Sequence, residues 1–444
     1  MQKVLIANRG EIAVRVIRAC RELGLQTVAV YSDADESARH VIRADEAVCI
    51  GKPAARLSYL NIDALMDAAG KTGADAIHPG YGFLSENPRF AEACESADIT
   101  FIGPSAEVIE VMGDKAVARR IAHEADVPIV PGTDGAGHAE DTLSVAEDVG
   151  YPLLVKAAAG GGGRGIRVVR APDELADAVR VAAREAESAF GNDTLYVEKL
   201  LEHARHVEVQ VLGDNHGNVI HLYERECSLQ RRRQKLVEEG PSPALSPETR
   251  AGICDAAVRL ARRVGYTSTG TVEFLVDRSG KFYFMEMNTR LQVEHGVTEM
   301  ITGVDLVREQ LLVAAGEEIS LGQDDVPLVG SAMEFRINAE DPEQNFMPSP
   351  GEITSVELPG GPGVRMDTAV YPGYTVVPFY DSLIGKLIVW APTREQTIQR
   401  GRRALEELSI EGIKTTVSLH RRLLDDENVR SGDFDTQYLE EILA

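Results

Sequence analysis

Cysteine is scarce: Cys20, Cys49, Cys94, Cys227 and Cys254 are five among 444 residues. Odd in number and widely scattered, they show neither a disulfide framework nor zinc-ligand spacing. Aromatic residues make up only 5%, so Leu, Val, Ile and Ala must fill most of the core. There is no stretch of about 18 apolar residues, which argues against a membrane span. The chain passes from Met1 almost at once into KVLIAN, with no basic head and apolar stretch, so no signal peptide is expected. The Walker pattern GxxxxGK[ST] is missing, and with it the P-loop NTPase class. Neither an internal repeat nor a low-complexity tail is present. Basic charge is in the minority, and the net charge is −24. A general nucleic-acid binder needs a phosphate-neutralising surface, so that class is disfavoured. A cytoplasmic enzyme fits these absences. The basic cluster QRRRQK (230–235) stands out against the acidic background.

What is present begins with a βαβ pattern. VLIA (4–7) reads as a buried strand, and 11–23 places Ile12, Ala13, Val16, Ile17, Cys20 and Leu23 on one helical face before Gly24. Further strands are expected at 27–31, 47–51, 75–80 and 99–104. An N-terminal, doubly wound parallel-sheet domain over 1–112 is the economical reading. Ligands of such sheets bind at the carboxyl ends of strands, which singles out the loop HPGYGFLSEN (78–87). From residue 113 the pattern changes to hairpins and long helices. A pause at GQDDVPLVGS (322–331) marks a second boundary, after which SAMEFRINAE, GEITSVEL and KLIVWAP read as strands. The fold class is therefore α/β, or α+β taken as a whole, with a central domain over 113–323 and a mixed C-terminal domain over 328–443.

Two groups of residues carry candidate chemistry. Gly160 to Gly163 and Gly165 follow the apolar strand 151–158. A backbone that bare can wrap phosphate oxygens, and it can equally be a surface loop. Lys156 on that strand favours an anionic ligand, because a buried lysine needs one. The second group is a hairpin of 270–276 and 281–288. A four-residue loop would set Glu273 opposite Phe284 and make Glu286 its diagonal neighbour. Two such carboxylates repel unless a proton or cation lies between them. With Asn288 they offer oxygen ligands suited to Mg²⁺ or Mn²⁺; the alternative is a solvated acidic face. If the chain stays extended through MEMNTRLQVEH (285–295), one face carries Glu286, Asn288, Arg290, Gln292 and Glu294. Arg290 then supplies a fork for an oxyanion, and Glu294 a general base.

MEMNTRLQVEH, together with KAAAGGGGRG, ECSLQRRRQK, HPGYGFLSEN and EFRINAED, resembles biotin carboxylase of the ATP-grasp superfamily. The resemblance runs over essentially the whole chain. It implies an ATP-grasp central domain with a glycine-rich lid over about 130–200. The implied reaction is ATP-dependent phosphorylation of bicarbonate to carboxyphosphate, followed by carboxylation of biotin. ATP would be bound by Lys115, Lys156, Gly162, Gly163, Glu198, Lys199, Leu201, His206, Gln230 and Arg233. Glu273, Glu286 and Asn288 would hold Mg²⁺ or Mn²⁺. Lys235, Arg290, Gln292 and Val293 would cradle bicarbonate, Glu294 would take its proton, Arg336 would steady biotin's ureido oxygen, and Tyr81 would border the biotin pocket.

The chain departs from the family at three places. Arg233 stands where a histidine is usual, which removes a neutral imidazole; Gly296 replaces a proline; EEGPSP (238–243) replaces EEAPAP. With no AMKM-like lysine motif before Ala444, the resemblance implies biotin arriving on a biotin carboxyl carrier protein and a separate carboxyltransferase subunit. It also implies a homodimer, with Arg18, Glu22 and Arg365 at contact positions. Another ATP-grasp ligase and a non-catalytic nucleotide-binding subunit are the alternative readings.

Overall fold

A computed structural model describes residues 1–133, 137, 143, 146, 148–157, 166–190 and 193–443 of the protein. The N-terminal region contains β1 (Lys3–Ile6), β2 (Gln26–Ser32), β3 (Glu46–Gly51), β4 (Ala76–His78) and β5 (Thr100–Phe101). They form one sheet in the order β3-β2-β1-β4-β5, parallel throughout. Successive residues of β1 enter different cores: Val4 and Ile6 pack with helix Gly10–Glu22, while Leu5 packs with Val28, Val30 and Phe90. Burial of both faces explains the unbroken apolar run. The strand order reverses between β1 and β4, where the Asn8 amide donates to the carbonyls of Pro79 and Tyr81, both at 2.8 Å. Gly80 has φ +64°, and a Cβ there would lie 2.8 Å from that amide nitrogen, so only glycine suits this turn. The loop HPGYGFLSEN thus sits at the switch point of the sheet.

β6 (Leu153–Ala157), β7 (Ile166–Val169) and β8 (Leu195–Lys199) make a small antiparallel sheet, order β7-β6-β8. Helix Pro172–Phe190 covers one side of it through Leu175, Val179, Ala182 and Ala186. The glycines 160–163 and 165, including the predicted ATP ligands Gly162 and Gly163, lie outside the described residues.

The largest element is an antiparallel sheet of eight strands. It contains β9 (Arg205–Gly213), β10 (Val219–Arg231), β11 (Gln234–Gly240), β12 (Ser268–Val276), β13 (Phe282–Asn288) and β14 (Ser331–Asn338), extended by strands Leu383–Ala391 and Val364–Thr368. The order is β13-β12-β9-β10-β11-β14, then Leu383–Ala391 and Val364–Thr368. β11 pairs with β14 from Val237↔Phe335 to Gly240↔Ala332. The ladder therefore continues across the compositional pause at 322–331.

The hairpin differs from its expected register. Val276 pairs with Phe282 and Phe274 with Phe284, but Glu273 pairs with Glu286. One extra residue, Met285, makes a β-bulge. Its effect is a change of parity. Phe284 joins Phe274 in the core, and two residues later Glu286 stands beside Glu273 on the other face, while Met287 returns to the core with Val272. The extended run also stops early. β13 ends at Asn288, and Glu294 is the N-cap of helix His295–Thr302.

Candidate active site

β9 alternates Val207, Val209 and Val211 into the core with His206, Glu208 and Gln210 on the opposite face, and all six are buried. Burying charge demands partners, and the neighbouring strands supply them. Arg225 on β10 is completely buried and places all five N–H donors. Nε reaches Glu208 at 2.7 Å, one terminal nitrogen reaches Gln210 and Thr298, both at 2.8 Å, and the other reaches Gln292 at 2.9 Å and Thr271 at 3.3 Å. Because Arg225 takes the Gln292 carbonyl, the Gln292 amide must donate, and it does so to Glu273 at 2.9 Å.

Lys235 on β11 is the hub of this face. Its ammonium lies 2.5 Å from Glu208, 2.6 Å from Glu294 and 3.1 Å from Glu273. Burial would lower the Lys235 pKa, but the three carboxylates outweigh it and raise the value well above that of an ordinary lysine. Glu294 is gripped from the other side by Arg336 of β14 at 2.9 Å. Burial would raise its pKa; Lys235, Arg336 and Arg225 outweigh that and hold it well below the usual carboxylate range. Arg336 is held in turn by Glu238, its Nε 2.6 Å from that carboxylate. Burial pushes Glu238 up to about 7 despite Arg336.

The predicted metal ligands adjoin this network. Glu273 accepts from the Asn288 amide at 2.9 Å, and its other oxygen lies 3.0 Å from His206 Nε2. Burial would lower the His206 pKa, but Glu273 dominates and raises it. His206, Glu208 and Glu273 bring ligand atoms within 4.8 Å of one another. Glu286 is more open and lies 3.5 Å from Lys115. Two carboxylates paired across β12 and β13, with an amide oxygen one pleat further on, form an oxygen-rich set that fits Mg²⁺ or Mn²⁺. Arg290 donates to Glu86 at 2.7 Å and to Asn288 at 2.9 Å. Glu86 also accepts from the Thr289 N–H, so the loop after β4 reaches the end of β13. A cavity of about 240 Å³ opens there, lined by Glu86, Met112, Lys115, Glu286 and Asn288 among others.

The other predicted residues divide into three places. Lys156 bonds Glu198, which also binds Arg119 at 2.7 Å. Lys199 donates to the carbonyls of Gly150 at 3.2 Å and Tyr151 at 2.6 Å, and Leu201 follows β8 half-buried. Gln230 pairs with Lys235 across β10 and β11. Arg233 is exposed at the turn, with φ +65°. Tyr81 bonds Glu11, whose partner Lys386 donates to the Val293 carbonyl at 2.7 Å. That links the biotin candidate to the bicarbonate candidate through two buried charges. His295 is packed at the helix start, its Nδ1 2.8 Å from the Gln292 carbonyl.

The sequence reading missed Glu208, Arg225, Glu238 and Glu86. For Glu208 a signal existed: HVEVQV alternates, so Glu208 shares the face of His206. Glu86 and Arg290 meet across 204 positions, with no local signal for the pairing.

Residues 1–109 match the family model for the biotin carboxylase N-terminal domain, and 334–441 that for the biotin carboxylase C-terminal domain. Residues 114–321 match the model for the carbamoyl-phosphate synthase L chain ATP binding domain. Biotin carboxylase 1 of Bacillus subtilis (strain 168) is 58% identical over 99% of this chain and 98% of its own. The crystal structure of a biotin carboxylase–β-γ-ATP complex from Campylobacter jejuni is 48% identical with a TM-score of 0.95, covering 99% of this chain and 98% of that one. The biotin carboxylase domain dimer of Hydrogenobacter thermophilus 2-oxoglutarate carboxylase, with MgADP, ADP and bicarbonate, is 52% identical with a TM-score of 0.93. That match covers 99% of this chain and 97% of the other. With three consecutive family models and full-length relatives above half identity, the chain belongs to the biotin carboxylase family of ATP-grasp enzymes.

Proposed function

We propose that the protein phosphorylates bicarbonate with ATP and transfers the resulting carboxyl group to biotin carried on a separate protein, releasing ADP and phosphate. The observation that carries this reading is the clamp on Glu294: one oxygen on Lys235, the other on Arg336. A base held this way is ionised but weakly basic. An anionic substrate entering between Lys235 and Arg336 draws both cations toward itself and raises the proton affinity of Glu294 as the substrate arrives. Glu294 can then accept the bicarbonate proton. Arg290, Gln292 and the Val293 backbone orient the bicarbonate oxygens, and the freed bicarbonate oxygen attacks the γ-phosphorus. Lys115, Lys156 and His206 lie on the nucleotide side, with Glu198 and Lys199 beside them. Gly162, Gly163, Gln230 and Arg233 belong to the same proposal. Glu273, Glu286 and Asn288 would hold Mg²⁺ or Mn²⁺, which when bound neutralises charge on the transferring phosphoryl group. Arg336 offsets negative charge on the ureido oxygen of biotin, near Tyr81.

A homodimer, a biotinylated carrier and a carboxyltransferase subunit complete the proposal, with the cytoplasm as its location. Among the described residues, no helix is long and apolar enough to cross a membrane. The final acceptor is set by the transferase partner. The test is ADP release by the purified protein with Mg-ATP and bicarbonate, with and without free biotin. Biotin-stimulated, bicarbonate-dependent release is expected. Release indifferent to bicarbonate would point to another acceptor and overturn the reading.

A further inference from the structure

Behind Arg336 lies a carboxyl group without a role in the reaction above. Glu334 on β14 is 0% exposed, and neither of its oxygens has a hydrogen-bond partner among the described residues. Its direct cross-strand partner is Glu238 on β11. That residue is also fully buried and has one unpartnered oxygen. Two carboxylates in opposed register on one dry face repel. Glu208 and Glu273 are placed the same way but share Lys235, whereas nothing among the described residues donates to Glu334.

The donors facing Glu334 from the surrounding elements are engaged elsewhere; His295 spends Nδ1 on the Gln292 carbonyl, and its Nε2 has no hydrogen-bond partner among the described residues. Arg336, on the same strand, gives Nε and a terminal nitrogen to Glu238 and the same terminal nitrogen to Glu294. Lys386, from Leu383–Ala391, is held by the Val293 carbonyl and Glu11. On helix His295–Thr302, His295 is kept neutral by burial and nearby cations, and Glu299 is bound by Arg15 and Arg365. The Tyr81 hydroxyl is bonded to Glu11. A Cβ at Gly296 would lie 3.3 Å from a Glu334 oxygen, yet no backbone N–H of that turn reaches it. An ionised carboxylate with no donor would be unstable here.

We infer that Glu334 is held as a neutral carboxylic acid and is a positioning residue for Arg336, its proton keeping that guanidinium's charge undivided for the substrate. Ionised, Glu334 would be a third carboxylate competing with Glu238 and Glu294 for Arg336, and the positive potential facing the ureido oxygen would fall. Burial, reinforced by Glu238 and Glu294 against Lys386 and Arg336, pushes the Glu334 pKa well above an ordinary glutamate, in the same direction as the geometry. The role rests on the proposed placing of biotin beside Arg336, but the buried acid does not.

Infrared spectra of the full chain at neutral pH test the acid directly. A protonated carboxyl band that shifts on H₂O/D₂O exchange is expected in the wild type, reduced in Glu334→Gln by the part that persists above the Glu238 value of about 7, and that part kept in Glu238→Gln and Glu11→Gln. No such band, or one whose intensity Glu334→Gln leaves unchanged above that pH, overturns the inference. If Glu334→Gln does not fold, carboxyl-¹³C glutamate labelling with retention of the band in the other two variants and in Glu239→Gln, where burial also raises the carboxyl pKa, supports Glu334, and loss of the band in any of them overturns it. For the role, the alkaline limb of biotin-stimulated ADP release should move to higher pH in Glu334→Gln, because the ionisation that weakens Arg336 has been removed. A merely structural role would scale the rate and leave the limb in place, which sinks the positioning role. A band that behaves as expected in a protein without bicarbonate-dependent turnover supports the acid and overturns the site reading instead.

Discussion

Within the five-stranded parallel sheet β1 is buried on both faces, and within the eight-stranded antiparallel sheet so is β9, but with different chemistry. β1 puts Val4 and Ile6 into one apolar core and Leu5 into another. β9 puts Val207, Val209 and Val211 into a core and sends Glu208 and Gln210 to an opposite face that is just as dry. The first sheet is held by hydrocarbon and carries its chemistry in the loops beyond its strands. The second carries Glu208, Arg225, Lys235, Glu273 and Arg336 on the strands themselves, with Gln292 and Glu294 delivered by the turn after β13, so that these buried charges are also part of the fold. A buried ion network adds little to stability when intact, but removing one partner leaves an uncompensated charge. Substitutions in the two sheets should therefore fail in different ways.

The largest effect is expected at Glu294. Glu294→Gln should lower bicarbonate-dependent ADP release by about 10²–10⁴-fold, the range for a lost general base, while circular dichroism stays that of the wild type. An unchanged rate would remove Glu294 from the chemistry. Arg225→Met tests whether site and fold share the same atoms. It leaves one Glu208 oxygen without a donor, the other staying on Lys235, and releases the Gln292 side-chain carbonyl. It should destabilise the protein by about 3–5 kcal/mol in a urea titration as well as abolish turnover. In the parallel sheet, Ile6→Ala should cost about 2–5 kcal/mol from the lost side chain and its cavity, leaving the KM for bicarbonate unchanged in the folded fraction. A shifted KM there would show that the core Ile6 shares with Leu212, Ile220, Leu222 and Leu291 passes the cavity on to the second sheet.

The smallest effect is graded with pH. Burial lowers His40 and His78, both in the parallel-sheet region, to about 4. His78 Nδ1 accepts the Gly80 N–H at 3.0 Å, which requires the neutral ring. A depressed folded-state pKa means that the unfolded chain takes up protons first. The stability tied to these histidines is therefore complete above pH 6.5 and is lost as pH falls toward 4. Hydrogen exchange should show β1 and β4 losing protection over that interval more than β9 and β12. The reverse order would contradict the assignment.

Much of the fold was legible because periodicity survives in the sequence. The unbroken run at 4–7 and the helical stripe at 11–23 correspond to β1 and to helix Gly10–Glu22. The site was legible in composition and less so in geometry. Lys235, Glu273, Gln292, Glu294 and Arg336 do converge, but not by extended alternation. The Met285 bulge changes the parity before the site, and a turn after Asn288 delivers Gln292 and Glu294. A bulge has no residue-type signature here, since methionine suits either face. Glu238 and Arg225 were hidden for another reason: Glu238 is followed by a second glutamate and Arg225 stands between Glu224 and Glu226, and only the packing shows that each is buried.

The ladder between β11 and β14 has a consequence for anyone who would take this chain apart. A nick between Gly322 and Gly330 falls in a connecting segment, yet it would separate Lys235 from Arg336 and leave two fragments, each ending its sheet in a bare edge. Those edges are complementary in register, Val237 to Phe335 and Gly240 to Ala332, so each is a template for the other. Expressed together, the halves have the makings of a split enzyme, in which Glu294 meets Arg336 only after reassembly.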